Sequence, residues 1–242
     1  MRDLSWLTAR PIAHRGLHDG NQACWENTLS AFERAAARGF SIECDVHLSG
    51  DGVPVVFHDD ALARLTGEDG FVWQRTSGEL GALKVGGTED RVPTLREMLG
   101  LVAGRVPLVI ELKGTPGHDE GLVAAVAAEL SRYEGKAAIM SFDHWLVRRF
   151  PIDAPNVPGG LTAWGSSTAL IEAHFSMLAH DLAFVSYECA ALPNPFTSFV
   201  RRHMKLPVIT WTVHDEPGIL ATREHADQMT FERFDPEDAA FG

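Results

Sequence analysis

The stretch from residue 41 to residue 59, SIECDVHLSGDGVPVVFHD, contains two short β-like runs, SIECDV and VPVVF. Only six residues separate these runs, whereas the connection between two parallel strands requires about a dozen residues or more. The second run is therefore predicted to pair antiparallel with the first, as a hairpin. Asp51-Gly52 suits a two-residue turn between them, which would place Asp45 opposite His58.

Outside this hairpin, short β-like runs alternate with longer amphipathic stretches that fit helices. The eight runs predicted to be strands are Arg10–His14, Ser41–Val46, Val106–Glu111, Lys136–Ser141, Val157–Leu161, Leu182–Ser186, Leu206–Thr212 and Asp227–Thr230. A helix is predicted over Thr28–Ala37, with Asn27 placed to cap it and Gly39 to end it. Eight strands, each followed by helical or irregular sequence, favour a closed parallel (β/α)8 TIM barrel with an extra β-hairpin.

The length of 242 residues is close to the roughly 250 residues of such a barrel. The main alternative is an open doubly wound sheet, which would need a glycine-rich phosphate loop after its first strand. The sequence contains neither a Gly-x-Gly-x-x-Gly nor a Walker motif. No low-complexity stretch or Ser/Gly linker divides the chain, so we predict a single α/β domain over residues 1–242.

The composition argues against several classes of protein. With 45% hydrophobic and 22% charged residues the chain is predicted to be globular, and its net charge of −12 disfavours nucleic acid and anionic membranes as partners. No apolar run approaches the roughly 18 residues of a membrane span, and the first residues lack the apolar core of a signal peptide. Three cysteines without a Cys-x-x-Cys pair indicate a reducing compartment. We therefore expect a cytoplasmic protein without stable membrane association.

Carboxylates occur where the predicted strands end, which is where barrel enzymes place their active sites. Glu43 and Asp45 lie two residues apart on the second strand and therefore face the same side. Glu111 ends the next barrel strand. Three carboxylates converging on one end of a barrel would repel one another strongly without a cation. A site built of oxygen donors suits Mg2+, Ca2+ or Mn2+ rather than zinc.

Two histidines and two cations belong to the same end of the predicted barrel. His14 ends the first strand and His58 ends the hairpin, and imidazoles beside such a site are natural proton-transfer groups near neutral pH. Arg15 and Lys113 supply the positive charge that an anionic phosphate oxygen would bind. Together with the carboxylates, these four residues indicate metal-assisted phosphoryl chemistry.

Further motifs accompany these residues along most of the chain. They are Ile12–Gly16, Glu26-Asn27-Thr28, Ala31-Phe32, Ile42–Val46, Asp51–Asp59, Leu62, Arg64–Gly67, Val92–Leu95, Glu111–Lys113, Ser141-Phe142 and Trp211–Val213. In this combination the sequence resembles the glycerophosphodiester phosphodiesterase family, in its short bacterial form. The resemblance implies a barrel enzyme that hydrolyses glycerophosphodiesters to sn-glycerol 3-phosphate and an alcohol.

The resemblance also implies a role for each candidate residue. By motif position, the acid and base of catalysis would be His14 and His58, and the ligands of one divalent metal ion would be Glu43, Asp45 and Glu111. The phosphate would be bound by Arg15, with Lys113 in the same pocket and Trp211 lining it near the glycerol or the leaving group. Residues 60–91 would form the small insertion of the family, which covers the mouth of the barrel.

Three positions depart from the family pattern. Trp25 stands where the family usually has proline, His214 where it usually has asparagine, and Glu232 where the last strand usually ends in aspartate. The sequence leaves open the roles of His214, Glu232 and Glu26, while Asn27 is predicted to be only a helix cap.

Four of the remaining histidines and cysteines have predicted positions, whereas no role is assigned to His118, His144, His174, His180, His203 and His225. His18, His47 and His214 are predicted to be solvated surface residues. Cys44 lies between two candidate metal ligands on a strand, so it is predicted to face outward into the helix layer.

Two other functions stay compatible with the sequence. A lysophospholipase D or sphingomyelinase D-like enzyme would act on a lipid phosphodiester, and would show an apolar patch or membrane-docking helix that is not evident here. A relative that binds a phosphodiester without turnover would lack a histidine or a carboxylate, and all five are present. The sequence leaves open the preferred alcohol, the metal, the oligomeric state, which histidine acts first as base, and whether a cyclic phosphate forms.

Overall fold

The computed structural model describes residues 3–237, and its strands form one sheet that closes on itself. In chain order the strands are β1 Ile12–Ala13, β2 Ser41–Leu48, β3 Pro54–Val56, β4 Leu108–Leu112, β5 Ala137–Ser141, β6 Gly159–Ala163, β7 Phe184–Glu188, β8 Val208–Val213 and β9 Gln228–Phe231. Because β1 pairs in parallel with β2 on one side and with β9 on the other, eight parallel strands close a barrel. The antiparallel β3 extends β2 outside it. The barrel with an extra hairpin that the sequence predicts is confirmed.

Helices connect the strands around the barrel. They are α1 Leu29–Ala37, α2 Ala63–Thr66, α3 Ser77–Leu80, α4 Leu95–Val102, α5 Leu122–Leu130, α6 His144–Asp153, α7 Thr168–Met177, α8 Pro195–Phe199 and α9 Glu216–His225. Side-chain oxygens cap the N-termini of several helices. Thr28 accepts a hydrogen bond from the Ala31 N–H, and Thr94 forms a reciprocal capping box with Glu97. Within residues 3–237, no helix combines the length and the apolar character needed to cross a membrane.

The strands divide their side chains between the barrel lumen and the helix layer, as the two-residue period of a strand requires. On β2, Cys44 is fully buried in the apolar core between barrel and helices, and its Sγ lies 3.5 Å from Met98 Sδ. Glu43 and Asp45, on either side of it, point into the lumen. The outward orientation predicted for Cys44 is therefore confirmed.

The amino end of the lumen is filled by apolar side chains. This cluster consists of Leu4, Leu7, Ile12, Val109, Ala138, Met140, Phe184 and Ile209. On β4, Glu111 lies two residues beyond Val109, so it shares the lumen face and sits nearer the carboxyl end. The three carboxylates Glu43, Asp45 and Glu111 thus lie nearer the carboxyl end of the lumen, where barrels place their active sites.

The hairpin turn differs from the prediction by one residue. The Phe57 N–H donates to the Asp45 carbonyl over 3.0 Å, so Asp45 lies opposite Phe57, and the predicted pairing with His58 is wrong. The loop has three residues, Gly50-Asp51-Gly52, rather than the predicted two. The reason is that Gly52 adopts a left-handed φ of 77° and closes the turn through a 2.9 Å hydrogen bond from its N–H to the Ser49 carbonyl.

Residues 60–91, the segment predicted to be an insertion, form a small apolar core together with the hairpin. Leu65 and Val72 are almost fully buried in it, and they pack with residues of the hairpin. The ring of Trp73 stacks on His118 at a centroid distance of 4.8 Å. Since His118 belongs to the loop after β4, this contact ties the insertion to the carboxyl end of a barrel strand.

Candidate active site

Three carboxylates meet at the carboxyl end of the barrel. Glu43 and Asp45 project from β2 into the lumen, and Glu111 of β4 is the strand partner of Asp45. The three residues are at most 5% exposed, and one oxygen of each lies within 4.8 Å of the others. Such a set of oxygen donors can hold a divalent cation. The structure therefore brings the three predicted metal ligands together.

Burial and mutual repulsion shift the acidity of this trio. Burial raises the pKa of Glu43 well above its usual value, and the charges of Asp45 and Glu111 raise it further. Burial likewise raises the pKa of Glu111. The pKa of Asp45 is instead lowered, because the cations Lys113 and Arg15 outweigh the effect of burial. A further positive charge between the three would favour ionisation of all of them.

Asp45 has the most polar contacts of the trio. Lys113 Nζ lies 2.8 Å from Asp45 Oδ1, and Arg15 Nε lies 3.2 Å from Asp45 Oδ2. Asn27 donates from Nδ2 to the same Oδ2 over 2.8 Å. The prediction that Asn27 caps α1 is wrong. Thr28 is the N-cap, and Asn27 adopts a left-handed φ of 56°, which asparagine tolerates and which turns its amide toward the carboxylate.

His14 follows β1 and is held by a carboxylate from the last strand. Its Nδ1 is 2.8 Å from Glu232 Oε2, and its Nε2 is 4.0 Å from Glu43 Oε2. Burial lowers the pKa of His14, and the hydrogen bond with Glu232 partly offsets this effect. Burial acts to raise the pKa of Glu232, but the hydrogen bond with His14 lowers it to about 2. An ionised glutamate therefore fixes the ring of His14 with Nε2 turned toward the carboxylates.

Strand register explains the contact of Glu232, whose role the sequence leaves open. Ala13 of β1 pairs with Phe231 of β9, so the next residue of each strand, His14 and Glu232, emerge side by side. A histidine and a carboxylate directly beyond the first and last strands are the signal in the sequence, because those strands must be neighbours once the barrel closes.

His58 lies beyond β3 and has a similar arrangement. Its Nδ1 is 2.6 Å from Asp59 Oδ1, and Arg64 binds both oxygens of Asp59, at 2.7 and 2.8 Å. Burial lowers the pKa of His58. The side chain of His58 is 32% exposed and that of His14 is 15% exposed, so His58 is the more accessible imidazole. Each histidine thus has a carboxylate at Nδ1, which leaves Nε2 for the cavity.

Arg15 connects the trio to a further buried carboxylate. Its backbone N–H donates to Glu43 Oε2 over 2.8 Å, and its Nη1 donates to Glu26 Oε1 over 2.6 Å. Glu26 is 5% exposed and also accepts from Arg64. Burial acts to raise the pKa of Glu26, but Arg64 and Arg15 lower it to about 2. Glu26, whose role the sequence leaves open, is therefore an ionised partner of both arginines.

All eight residues singled out from the sequence line one cavity of about 90 Å3 at the carboxyl end of the lumen. The complete lining is His14, Arg15, Glu43, Asp45, His58, Glu111, Lys113, Met140, Phe142, Trp211, Thr212 and Thr230. Trp211 forms an apolar side of this cavity. Its Nε1 donates to the Ala163 carbonyl over 3.2 Å, and Phe142 packs edge-on against it at 5.0 Å between ring centroids.

Nearly the whole chain, residues 14–235, matches the sequence model of the glycerophosphoryl diester phosphodiesterase family. The chain belongs to this family. The matched range includes every residue that lines the cavity. The family predicted from the sequence is thereby confirmed, and the predicted class of enzyme, a phosphoric diester hydrolase, is the one for which this family is named.

Individual proteins are also similar to this chain in sequence or in structure. A glycerophosphodiester phosphodiesterase from Caldanaerobacter subterraneus is 37% identical over 162 residues, which cover 62% of this chain and 65% of that protein. A phosphodiesterase from Oleispira antarctica, solved in complex with the product sn-glycerol-3-phosphate, superposes with a TM-score of 0.79 and 26% identity, with 93% of each chain covered. A glycerophosphodiester phosphodiesterase from Thermotoga maritima superposes with a TM-score of 0.73 and 25% identity, covering 93% of this chain and 95% of that one.

Two histidines of this phosphodiesterase family member that are predicted to be solvated are buried instead. The side chain of His18 is 4% exposed, and its Nε2 lies 3.9 Å from Glu232 Oε2. His47 is 3% exposed, and its Nε2 lies 3.0 Å from the carbonyl of His58. The prediction was wrong because the ring of His47 lies against the segment that follows β3, and the ring of His18 lies against Glu232, which follows the last strand. His214 is exposed, as predicted.

Proposed function

We propose that this protein hydrolyses glycerophosphodiesters to sn-glycerol 3-phosphate and an alcohol, with a divalent metal ion and two histidines. The observation that carries this proposal is the arrangement of one cavity. Two imidazoles, each bound to a carboxylate through Nδ1, adjoin three clustered carboxylates and two cations. The Oleispira antarctica phosphodiesterase, which has the same barrel and was solved with sn-glycerol-3-phosphate as its product, supports the choice of product.

Glu43, Asp45 and Glu111 would hold one divalent metal ion, Mg2+ or Ca2+, with Mn2+ as the further candidate. The residues fit such an ion, because all three offer oxygen ligands and their burial makes uncompensated negative charge costly. When bound, the ion would supply Lewis-acid stabilisation to a phosphate oxygen. Asn27 would orient Asp45 through its hydrogen bond to Oδ2.

Arg15 and Lys113 would bind the phosphate. Both side chains are 17% exposed and lie against Asp45 at the wall of the cavity. These ion pairs fix two long side chains before the substrate arrives, so little conformational entropy is lost on binding. Fixed positive charges would also stabilise the additional negative charge that develops on the phosphate oxygens in the transition state.

His14 and His58 would divide the proton transfers. One imidazole accepts the proton of the attacking hydroxyl or water as that oxygen bonds to phosphorus. The other donates a proton to the alcohol oxygen as its bond to phosphorus breaks. Because Glu232 and Asp59 hold the Nδ1 atoms, the Nε2 atoms perform both transfers. Burial lowers the pKa of both histidines, which keeps a neutral imidazole available as the base near pH 7.

Trp211 would pack against the glycerol or the leaving group, and residues 60–91 would cover the mouth of the cavity. Trp211 suits this role because its hydrogen bond to Ala163 and its contact with Phe142 fix the ring as an apolar wall. The insertion suits its role because Trp73 reaches the loop after β4.

We further propose that the substrate is a small-molecule diester and that the protein acts in the cytoplasm. The three cysteines are all free thiols in the structure, which fits a reducing compartment. The net charge of −12 makes nucleic acid an unsuitable partner.

The proposal is tested by the release of glycerol 3-phosphate from glycerophosphocholine and glycerophosphoethanolamine, with Mg2+, Ca2+, Mn2+ or EDTA. We expect metal-dependent release that His14→Ala and Glu111→Gln each abolish, while His214→Ala, at an exposed position, keeps the wild-type rate. Thermal unfolding confirms that each variant is folded. Folded wild-type protein that releases nothing with any metal would overturn the proposal, and turnover of lysophosphatidylcholine alone would indicate the lipid phosphodiesterase instead.

A further inference from the structure

Arg64, on α2 of the insertion, binds two carboxylates at once. Its Nε and Nη2 donate to the two oxygens of Asp59 at 2.7 and 2.8 Å. Its Nη1 and Nη2 donate to the two oxygens of Glu26 at 3.0 and 2.8 Å. All three guanidinium nitrogens are used, and such two-oxygen pairs are among the strongest and most directional hydrogen bonds in proteins.

Each of the two carboxylates also contacts a residue that lines the cavity. Asp59 Oδ1 lies 2.6 Å from Nδ1 of His58, and Glu26 Oε1 accepts from Arg15 Nη1 over 2.6 Å. Each carboxylate is therefore shared between Arg64 and one residue of the cavity. Two chains of hydrogen bonds start at the same guanidinium, and one ends on an imidazole while the other ends on an arginine.

The side chain of Arg64 joins three separate segments of the chain. Glu26 lies in the loop before α1, Asp59 follows the hairpin, and α2 is anchored through Leu62 and Leu65 in the apolar core of the insertion. Those two leucines are at most 2% exposed, whereas the side chain of Arg64 is 44% exposed. The insertion can therefore pack without Arg64, whose polar contacts serve the two carboxylates.

We propose that Arg64 is a positioning residue, through which the insertion fixes both a phosphate-binding group and a proton-transferring group. The inference rests on the proposed function, because it takes Arg15 and His58 to act on the phosphodiester. By holding Asp59, Arg64 fixes the ring of His58, and by holding Glu26 it fixes the guanidinium of Arg15. A displacement of about 1 Å in such groups can lower a rate on the order of 100-fold.

The test compares Arg64→Ala with variants that interrupt one chain of hydrogen bonds each. Glu26→Gln loosens Arg15 and is expected mainly to raise KM, whereas Asp59→Asn loosens His58 and is expected mainly to lower kcat. Arg64→Ala is expected to do both, with kcat/KM lower by about 10- to 100-fold. Arg96→Ala is the matched control. Arg96 makes the same kind of two-oxygen pair with Glu129, at 3.0 and 2.7 Å, and does not line the cavity.

Added guanidinium ion separates positioning from folding. In Arg64→Ala the ion can enter the partly exposed position, and millimolar guanidinium chloride is expected to raise kcat/KM severalfold relative to the same concentration of sodium chloride. A variant impaired only by lower stability would show no such recovery, because guanidinium does not stabilise folded proteins and weakens them at molar concentrations.

Three results would overturn the inference while leaving the proposed function intact. These are wild-type kcat and KM in Arg64→Ala, a loss matched by Arg96→Ala, or a loss that guanidinium does not reduce. Wild-type protein without activity would instead overturn the proposed function itself. The two failures are therefore distinguishable within the same set of assays.

Discussion

Replacing Glu232 by glutamine removes the negative charge beside His14 and nearly preserves the shape of the site. The His14 Nδ1 to Glu232 Oε2 hydrogen bond is 2.8 Å long, and the two side chains are 15% and 11% exposed. A hydrogen bond to a charged group contributes about 1.5–3 kcal/mol. Since about 1.4 kcal/mol corresponds to a factor of ten in rate, we expect kcat to fall about 10- to 100-fold. KM is expected to change little, because the glutamate binds the imidazole rather than either predicted phosphate-binding cation.

The assay for Glu232→Gln is steady-state release of glycerol 3-phosphate, with Glu188→Gln as the matched control. Glu188 ends β7 at the same end of the barrel and does not line the cavity. Thermal unfolding of both variants shows whether the fold is intact. A folded Glu232→Gln variant with the wild-type kcat would refute the reasoning that this charge supports proton transfer at His14.

Three further substitutions and the removal of metal probe the metal site, the first helix and the buried histidine of α7. Asn27→Ala removes the amide that donates to Asp45 and is expected to weaken metal affinity about tenfold in a metal titration. Thr28→Ala is its control, expected to cost about 1 kcal/mol of unfolding free energy through the lost cap of α1, at unchanged affinity. Treatment with EDTA is expected to lower Tm as well as activity, because an ion that binds only the folded chain stabilises it. Equal Tm values with and without saturating Mg2+, Ca2+ or Mn2+ would argue against a metal site at the three carboxylates. Burial lowers the pKa of His174 from 6.5 to about 4, so the unfolded chain takes up a proton first as the pH falls. The unfolding free energy is therefore expected to decrease between pH 6.5 and 4, by up to about 2–3 kcal/mol, and urea unfolding of His174→Gln should show a flatter dependence.

The barrel and most of its cavity follow from the sequence, because both depend on features that recur along the chain. Repeated β-like runs with helical stretches between them predict parallel strands, and side chains at or directly beyond the carboxyl ends of such strands must meet at one end of the barrel. Glu43, Asp45 and Glu111 obey this rule without any knowledge of loop structure. His14 does so as well, since it directly follows β1.

Two of the features that sequence reasoning missed, the cap of α1 and the hairpin register, depend on differences of one residue in the local backbone. Asn27 and Thr28 are adjacent and both are favourable N-cap residues, so only the left-handed backbone of Asn27 decides which of them caps α1. Two- and three-residue hairpin loops likewise share the same preference for Asp and Gly, which is why the register of Asp45 was wrong by one position.

The contacts of Arg64 could not be predicted for a different reason. They depend on how the insertion folds against the loop that holds Glu26, 38 residues earlier in the chain. No periodicity or local turn signal specifies that packing, because the apolar core that positions α2 is formed by residues spread over the whole insertion.

The first and last strands of the barrel meet through only two residue pairs, Ile12 with Thr230 and Ala13 with Phe231. A chain synthesised only as far as β8 already contains His58, the three carboxylates, both cations and Trp211. It still lacks the strand that closes the barrel and the glutamate that holds His14. During translation, the site can therefore be completed only after β9 and Glu232 have left the ribosome, so that closure of the barrel and completion of the site are a single event.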